Sequence, residues 1–233
     1  MTIGVTAATG QLGQKLLTEL IGLVGADNVV GIARSPDKAA ATSVEMRAGD
    51  YTQAEDWPRA LAGLDAVIII SAPVGPWDRV QMHRNVIAGA ARAGVRKLIY
   101  TSVIGNGRES ETLYAPVAAV NRQTEADVQA SGLDWCIARN GLYLEYDVAH
   151  IVNAAERDGI FRNNGGDGRC GYITRDEIAF ATGRLALEDR HNGKLFNLVG
   201  ECVAQAELVA MVNDSCGLQV RYETISDEPV SYT

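Results

Sequence analysis

The chain has 233 residues, 47 % hydrophobic and 21 % charged, with a formal net charge of −8 and an isoelectric point near 4.9. That length builds one good core plus a small appended lobe, and the composition is that of an ordinary globular protein rather than a disordered or fibrous one. An acidic surface repels a phosphate backbone, which argues against nucleic acid as a partner; the densest basic cluster, Arg92–Arg96–Lys97, only brackets a helix–strand junction.

The opening Met1-Thr2-Ile3-Gly4-Val5 runs straight into a strand pattern, without the basic and then apolar regions of a signal peptide. The apolar run Ala66–Ile70 is far too short to cross a bilayer, so no membrane partner is expected. Cys136, Cys170, Cys202 and Cys216 show neither CxxC nor zinc spacing and are expected to be reduced. Asn213-Asp214-Ser215 matches a glycosylation sequon that a cytoplasmic chain never presents to that machinery. The expected localisation is cytoplasmic.

In chain order, Thr2–Ala7 reads as a strand and Gln11–Val24 as a helix, with Leu12, Leu16, Leu17, Leu20 and Leu23 recurring on one face. Strands follow at Asn28–Ala33, Val44–Ala48 and Ala66–Ser71, the last apolar throughout, as a strand buried on both faces should be. A helix over Trp77–Ala93 leads to a strand at Lys97–Ser102, and a helix over Tyr114–Ala130 to a strand at Asp134–Ala138. Strands alternating with helices predict a parallel, doubly wound sheet, because parallel neighbours need crossover connections.

After Arg139 the rhythm changes. Leu144–Arg157 reads as a helix, Asn163–Gly168 as a polar, glycine-rich surface loop, and Thr174 as the N-cap of a helix with Glu177 at capping-box spacing. Strands are expected at Lys194–Val199 and Gln219–Ile225 around a helix over Ala204–Cys216. The expected fold is α/β: a Rossmann-type doubly wound parallel sheet over residues 1–140 and a smaller C-terminal α/β lobe over 141–233, its elements partly interleaved with the sheet. That lobe is expected over the carboxyl edge, where such folds bind ligands.

The run Val5-Thr6-Ala7-Ala8-Thr9-Gly10-Gln11-Leu12-Gly13 lies between the first strand and the first helix, the context that a dinucleotide fingerprint requires. Gly10 lets backbone approach a pyrophosphate, Gly13 lets the helix pack closely on the strand, and the free N–H groups at the helix start attract phosphate. A plain strand–helix turn would explain one glycine but hardly two at this spacing. Arg34, 21 positions after Gly13, ends the second strand where the residue reading the adenosine ribose belongs. An acid there favours NAD; a guanidinium fork suits a 2′-phosphate, hence NADP(H). Lys38 adds charge nearby, and a solvated surface arginine is the alternative. Asp50 is placed either to accept from the adenine amino group or to stabilise its own turn.

These runs, with Ala33–Lys38, Gly49-Asp50-Tyr51, Gly94–Ser102 and Arg139-Asn140-Gly141-Leu142-Tyr143, resemble the atypical short-chain dehydrogenase/reductases. The resemblance extends along nearly the whole chain and narrows to the NmrA-like branch, to its reductases of quinones and triphenylmethane dyes. It implies a cofactor site lined by Ala7, Ala8, Thr9, Gly10, Gln11 and Leu12, by Arg34, by Ser71, Ala72 and Pro73, and by Asn140, Gly141, Leu142, Tyr143 and Glu145. Family members continue past the position of residue 233 as helices that help close the substrate pocket; either the lobe lacks them or the sequence stops short of them.

Two departures from the family stand out. Its first motif glycine is Ala7 here, which a turn tolerates only if φ stays negative. The Tyr-x-x-x-Lys pair of the best-known members is absent, because Tyr114 is followed by Ala118; relatives also carry His or Lys where Asn121 precedes Thr124-Glu125. Hydride transfer to a quinone or dye needs stacked partners, and water can supply the proton. The candidate catalytic residues are Asn140 and Tyr143, by the resemblance beside the nicotinamide, and Ser102 at the end of the fifth strand. Each has a structural alternative: loop anchor, core aromatic and cap. His83, His150 and His191 lack a second ligand at metal spacing, and Cys136 reads as a buried thiol.

The expectation is an NADPH-dependent reductase of quinones or similar conjugated small molecules, a monomer or homodimer. The alternative is a non-catalytic NADP(H)-binding redox sensor. A sugar-nucleotide epimerase fits the fold but suffers most from the missing Tyr-x-x-x-Lys.

Overall fold

The computed structural model describes residues 1–38, 43–105, 107–112 and 114–226, Lys38 by its backbone only. Its strands and helices in chain order are β1 Ile3–Val5, α1 Gln11–Val24, β2 Val29–Ala33, β3 Glu45–Ala48, α2 Trp57–Ala60, β4 Ala66–Ile70, α3 Arg79–Ala93, β5 Lys97–Val103, α4 Ala115–Gln129 and β6 Asp134–Asn140. They continue as β7 Leu142–Tyr143, α5 Leu144–Arg157, β8 Ile160–Asn163, β9 Arg169–Ile173, α6 Arg175–Leu187, β10 Lys194–Leu198, β11 Cys202–Ala204, α7 Gln205–Cys216 and β12 Arg221–Thr224.

Two compact units result. The first comprises Met1–Asn140 with Arg175–Leu198, the second Gly141–Thr174 with the segment from Val199 onward. The first unit holds a seven-stranded sheet in the order β3-β2-β1-β4-β5-β6-β10. Every neighbouring pair is parallel. This is the expected Rossmann order extended by one strand, and the reversal between β1 and β4 is the switch point at which such sheets bind ligands. β4 runs apolar because helices cover both faces: α1 packs with α6, while α2, α3 and α4 pack in succession.

The leucine periodicity marks α1 to the residue, and Leu12, Leu16, Leu17 and Leu20 are its buried face. A fully buried leucine contributes about 1.5–3 kcal/mol, so this stripe is what fixes α1 against the sheet. The expected start of α3 at Trp77 is corrected to Arg79. Asp78 is the N-cap, its Oδ1 accepting the Gln81 N–H at 3.0 Å, and this leaves Trp77 in the loop.

The second unit has two small sheets, β11-β9-β7 and a parallel pair β12-β8, with α5 and α7. Its core is built from Ile151, Ala154, Phe161, Tyr172, Leu208, Val209, Val212 and Val220. A buried polar chain runs through it: Tyr172 donates to Asp147, Gln205 Nε2 donates to the Tyr172 hydroxyl at 2.7 Å, and Asn163 Nδ2 donates to Gln205 Oε1 at 3.0 Å. Among the described residues no helix is long and apolar enough to cross a membrane.

Candidate cofactor site

The turn after β1 is shaped by its glycines. A Cβ at Gly13 would lie 2.4 Å from the Ala7 carbonyl oxygen and 2.7 Å from Ala8 Cα, both backbone atoms that cannot swing aside. Only glycine lets α1 come this close to the strand end. Gly10, the N-cap of α1, uses no side chain as a cap, so the first N–H groups of the helix face outward with the positive end of its dipole. Gln14 Nε2 donates to the Thr9 carbonyl at 3.0 Å and Gly10 N–H to the Ala7 carbonyl at 2.9 Å, tying the turn to the helix.

Ala7 departs from expectation. Its φ is +49°, so the methyl group sits in the left-handed region rather than at negative φ. The turn demands this geometry, since Ala8 N–H donates to the Ile32 carbonyl on β2 at 3.0 Å while the Ala7 carbonyl turns back toward α1. The strain, about 1–2 kcal/mol, is held by those surrounding bonds.

Against this turn lies a cavity of about 620 Å³. Ala7, Thr9 and Gly10 line it from the turn, Ala33 and Arg34 from the end of β2, Gly49 to Thr52 from the end of β3, and Pro73, Trp77 and Met82 from beyond β4. It therefore spans the carboxyl ends of β3, β2, β1 and β4. Arg34 is exposed at its wall, and among the described residues no carboxylate pairs with its guanidinium. Asp50 Oδ1 accepts both the N–H and the hydroxyl of Thr52 at 2.9 Å, a turn bond that coexists with its place on the cavity wall. Tyr51 is buried, its hydroxyl donating to the Ile70 carbonyl at 2.7 Å and lying 2.5 Å from Thr6 Oγ1. Burial pushes its pKa upward.

Ser71 and Ala72 are held from below by a buried polar network. Ala72 N–H donates to His83 Nε2 at 2.8 Å, and Arg79 Nε donates to the Ala72 carbonyl at 2.9 Å. The Thr124 hydroxyl donates to the Val120 carbonyl, so at 2.8 Å it must accept from His83 Nδ1–H, which fixes the neutral tautomer. Burial, with Arg79 nearby, drives the His83 pKa down to about 3. Tyr100 donates to Asn121 Oδ1 at 2.8 Å, and burial pushes its pKa up to about 12, too high for proton donation near neutrality. Arg79 carried no signal in the sequence, and His83 and Asn121 stood there only as a histidine without metal spacing and a departure from the family, because the partners of all three lie on other elements.

The remaining candidates are placed as follows. Ser102 is buried and donates to Glu125 Oε1 at 2.5 Å, inside an ion cluster with Arg122 at 2.8 Å and Arg139 at 2.5 Å; it does not line the cavity. Burial raises the Glu125 carboxyl, but Arg139, Ser102 and Arg122 outweigh it and hold the pKa below the usual range. Asn140 closes β6 and is buried. In the second unit, Leu142 and Tyr143 pair with Tyr172 and Ile173, and a Cβ at Gly141 would meet the Gly171 carbonyl at 2.4 Å. Tyr143 stacks parallel to Tyr146 at 6.0 Å, and Glu145 lies in the first turn of α5. The Lys38 side chain lies outside the described groups. Tyr114 precedes α4 and is 45 % exposed, with buried Ala118 in the first turns of that helix. Cys136 is buried, its thiol raised by burial and donating to the His191 carbonyl at 2.9 Å.

Residues 7–185 match a family described as NAD(P)H-binding, and that stretch contains the whole cavity wall. The chain belongs to that family. It is an NAD(P)H-dependent oxidoreductase of the NmrA-like branch of the atypical short-chain dehydrogenase/reductases. Over 230 residues it is 34 % identical to quinone oxidoreductase 2 of Escherichia coli (strain K12), covering 97 % of this chain and 78 % of that protein. Among solved structures, Citrobacter sp. triphenylmethane reductase complexed with NADP(H) superposes with a TM-score of 0.87 at 31 % identity, over 97 % of this chain and 80 % of that one. The NADPH-dependent quinone oxidoreductase from Escherichia coli, complexed with NADPH, superposes with a TM-score of 0.86 at 34 % identity, over 97 % and 79 %. For this oxidoreductase the glycine cradle, the uncapped helix start and the cavity fit the pyrophosphate and adenosine of such a cofactor.

Proposed function

We propose that the oxidoreductase binds NADPH in preference to NADH and reduces a quinone or a similar conjugated small molecule, as a cytoplasmic monomer or homodimer. The observation that carries this reading is the juxtaposition of the Gly10–Gly13 cradle with Arg34 on one cavity at the carboxyl ends of the sheet. A guanidinium at the ribose end suits a 2′-phosphate, and an acid there would have repelled it. The relatives named for quinone and dye reduction support the acceptor class.

When bound, the cofactor supplies a hydride, and with one proton from water a quinone becomes a hydroquinone. The chain's own task is to hold and orient. The uncapped N-terminus of α1 takes the pyrophosphate, Arg34 the 2′-phosphate, and Pro73 forms part of the wall, next to Ala72, which Arg79 and His83 fix; contacts of Ser71 and Ala72 with the cofactor belong to this proposal. Roles for Asn140, Gly141, Leu142, Tyr143 and Glu145 toward cofactor and acceptor are part of this proposal. So is the view that water supplies the proton, since burial raises the Tyr100 pKa far above neutrality and Ala118 stands where the family pattern has lysine.

The test is direct. Purified protein is mixed with NADPH and a panel of quinones, and the absorbance of the reduced cofactor is followed. Acceptor-dependent oxidation is expected. Measurable NADPH binding without oxidation by any acceptor would overturn the reductase reading and leave the sensor.

A further inference from the structure

An adenine ring stacks favourably on an aromatic face, and the cavity wall has two aromatic candidates, Tyr51 and Trp77. Tyr51 has no face to give. It is 8 % exposed, packed edge-on against Trp57 at 5.3 Å and against His83 at 6.2 Å, with its hydroxyl engaged by Ile70 and Thr6. Trp77 is 48 % exposed although it borders the cavity. A large apolar ring left half in water on a cavity wall is a ready stacking surface.

The loop is shaped around that ring. A Cβ at Gly75 would lie 2.6 Å from both Cε2 and Nε1 of the Trp77 indole, so the ring fills the space that any other residue at 75 would need. One residue further on, Asp78 caps α3, and this anchors the indole at the start of a long helix. Across the cavity stand Arg34 at the end of β2 and Asp50 at the end of β3, the side on which Rossmann sheets hold adenosine. Met82 adds an apolar neighbour from the first turn of α3.

We propose that the Trp77 indole, seated over Gly75, is the shelf on which the adenine of the cofactor stacks, opposite the Arg34 guanidinium that takes the 2′-phosphate. The proposal rests on the NADP(H) reading of the cavity and adds the residue that holds the base.

The probe is adenosine 2′,5′-bisphosphate, which carries the base and the 2′-phosphate but no nicotinamide. Of the three tryptophans, Trp57 is fully buried, so a change in emission on binding is read against Trp77 and Trp135 with Trp77→Phe as the control. Wild-type emission is expected to be quenched on titration, and the quench to vanish in Trp77→Phe. By calorimetry Trp77→Phe keeps affinity within about threefold, whereas Trp77→Ala loses about tenfold for both the bisphosphate and NADPH. Gly75→Ala, which displaces the ring without removing it, is expected to weaken both ligands in the same direction. Wild-type affinity in Trp77→Ala, or a quench that persists in Trp77→Phe, overturns the shelf while leaving the cofactor reading intact. If wild-type protein binds neither the bisphosphate nor NADPH, the cofactor reading fails and the shelf with it.

Discussion

Ala7 is the residue at which family pattern and local physics meet. With φ at +49°, its methyl group is the one non-glycine side chain at positive φ among the described residues. Ala7→Gly is expected to raise stability by about 1 kcal/mol and Tm by several degrees, because glycine adopts that region without the Cβ clash. A fall in Tm on thermal melting would contradict the left-handed assignment. Arg34 acts through charge rather than shape. Arg34→Ala is expected to weaken NADPH about ten- to a hundredfold, the loss of a charge-assisted contact, and to leave NADH nearly untouched. Equal losses for the two cofactors, measured by titration, would remove the arginine from the 2′-phosphate.

At the scale of elements, α3 is more than a crossover. Through Arg79 and His83 it engages both the carbonyl and the N–H of Ala72 beyond β4, and His83 reaches on to Thr124 of α4. The imidazole must stay neutral to accept from Ala72. Its pKa of about 3 lies below the ordinary histidine value, so the unfolded chain takes the proton first as pH falls. This contribution is complete above about pH 6.5 and declines below it toward pH 3, by about 1.4 kcal/mol per pH unit. Between pH 6.5 and 5, above the carboxylate range, thermal melts should show this slope. His83→Gln, which keeps an acceptor near Ala72 N–H but cannot titrate, should flatten it. Identical slopes in the two proteins would show that His83 is not the titrating group. Glu125 has the same sign in a lower window: its lowered pKa adds stability that is present above the ordinary carboxylate value and lost as pH falls below it.

Across the whole molecule, the chain forms two compact units and the cavity is lined entirely by residues of the first. A ligand that binds there stabilises the native state by about 2.7 kcal/mol at a hundredfold excess over its Kd. Adenosine 2′,5′-bisphosphate is therefore expected to slow hydrogen exchange in the first unit, around Thr6–Gly13, Ala33–Arg34 and Gly49–Thr52. Amides of α7 and β12 in the second unit should exchange as before. Protection confined to the second unit would place the adenosine site elsewhere.

The sequence by itself determined the elements whose signal is local. Leucine spacing bounds α1 at Gln11–Val24, and the helix pattern bounds α5 at Leu144–Arg157, as found. The doubly wound parallel sheet followed from alternation, and the pyrophosphate cradle from Gly10 and Gly13 in their strand–helix context. Short strands without periodic contrast escaped: β8, Ile160–Asn163, and β9, Arg169–Ile173, flank a glycine-rich loop and show neither a regular apolar–polar alternation nor an unbroken apolar run. Tertiary structure alone decided what depends on partners distant in the chain. It placed Lys194–Leu198 beside β6 in the main sheet, set the positive φ of Ala7 through the bond from Ala8 to Ile32, and drew the Ser102 hydroxyl into the Glu125 cluster. It also moved Trp77 out of the helix and onto the cavity wall. A helical or strand period reports which face of an element is apolar. It carries no record of which group, tens of residues away, will complete a hydrogen bond or leave a ring uncovered.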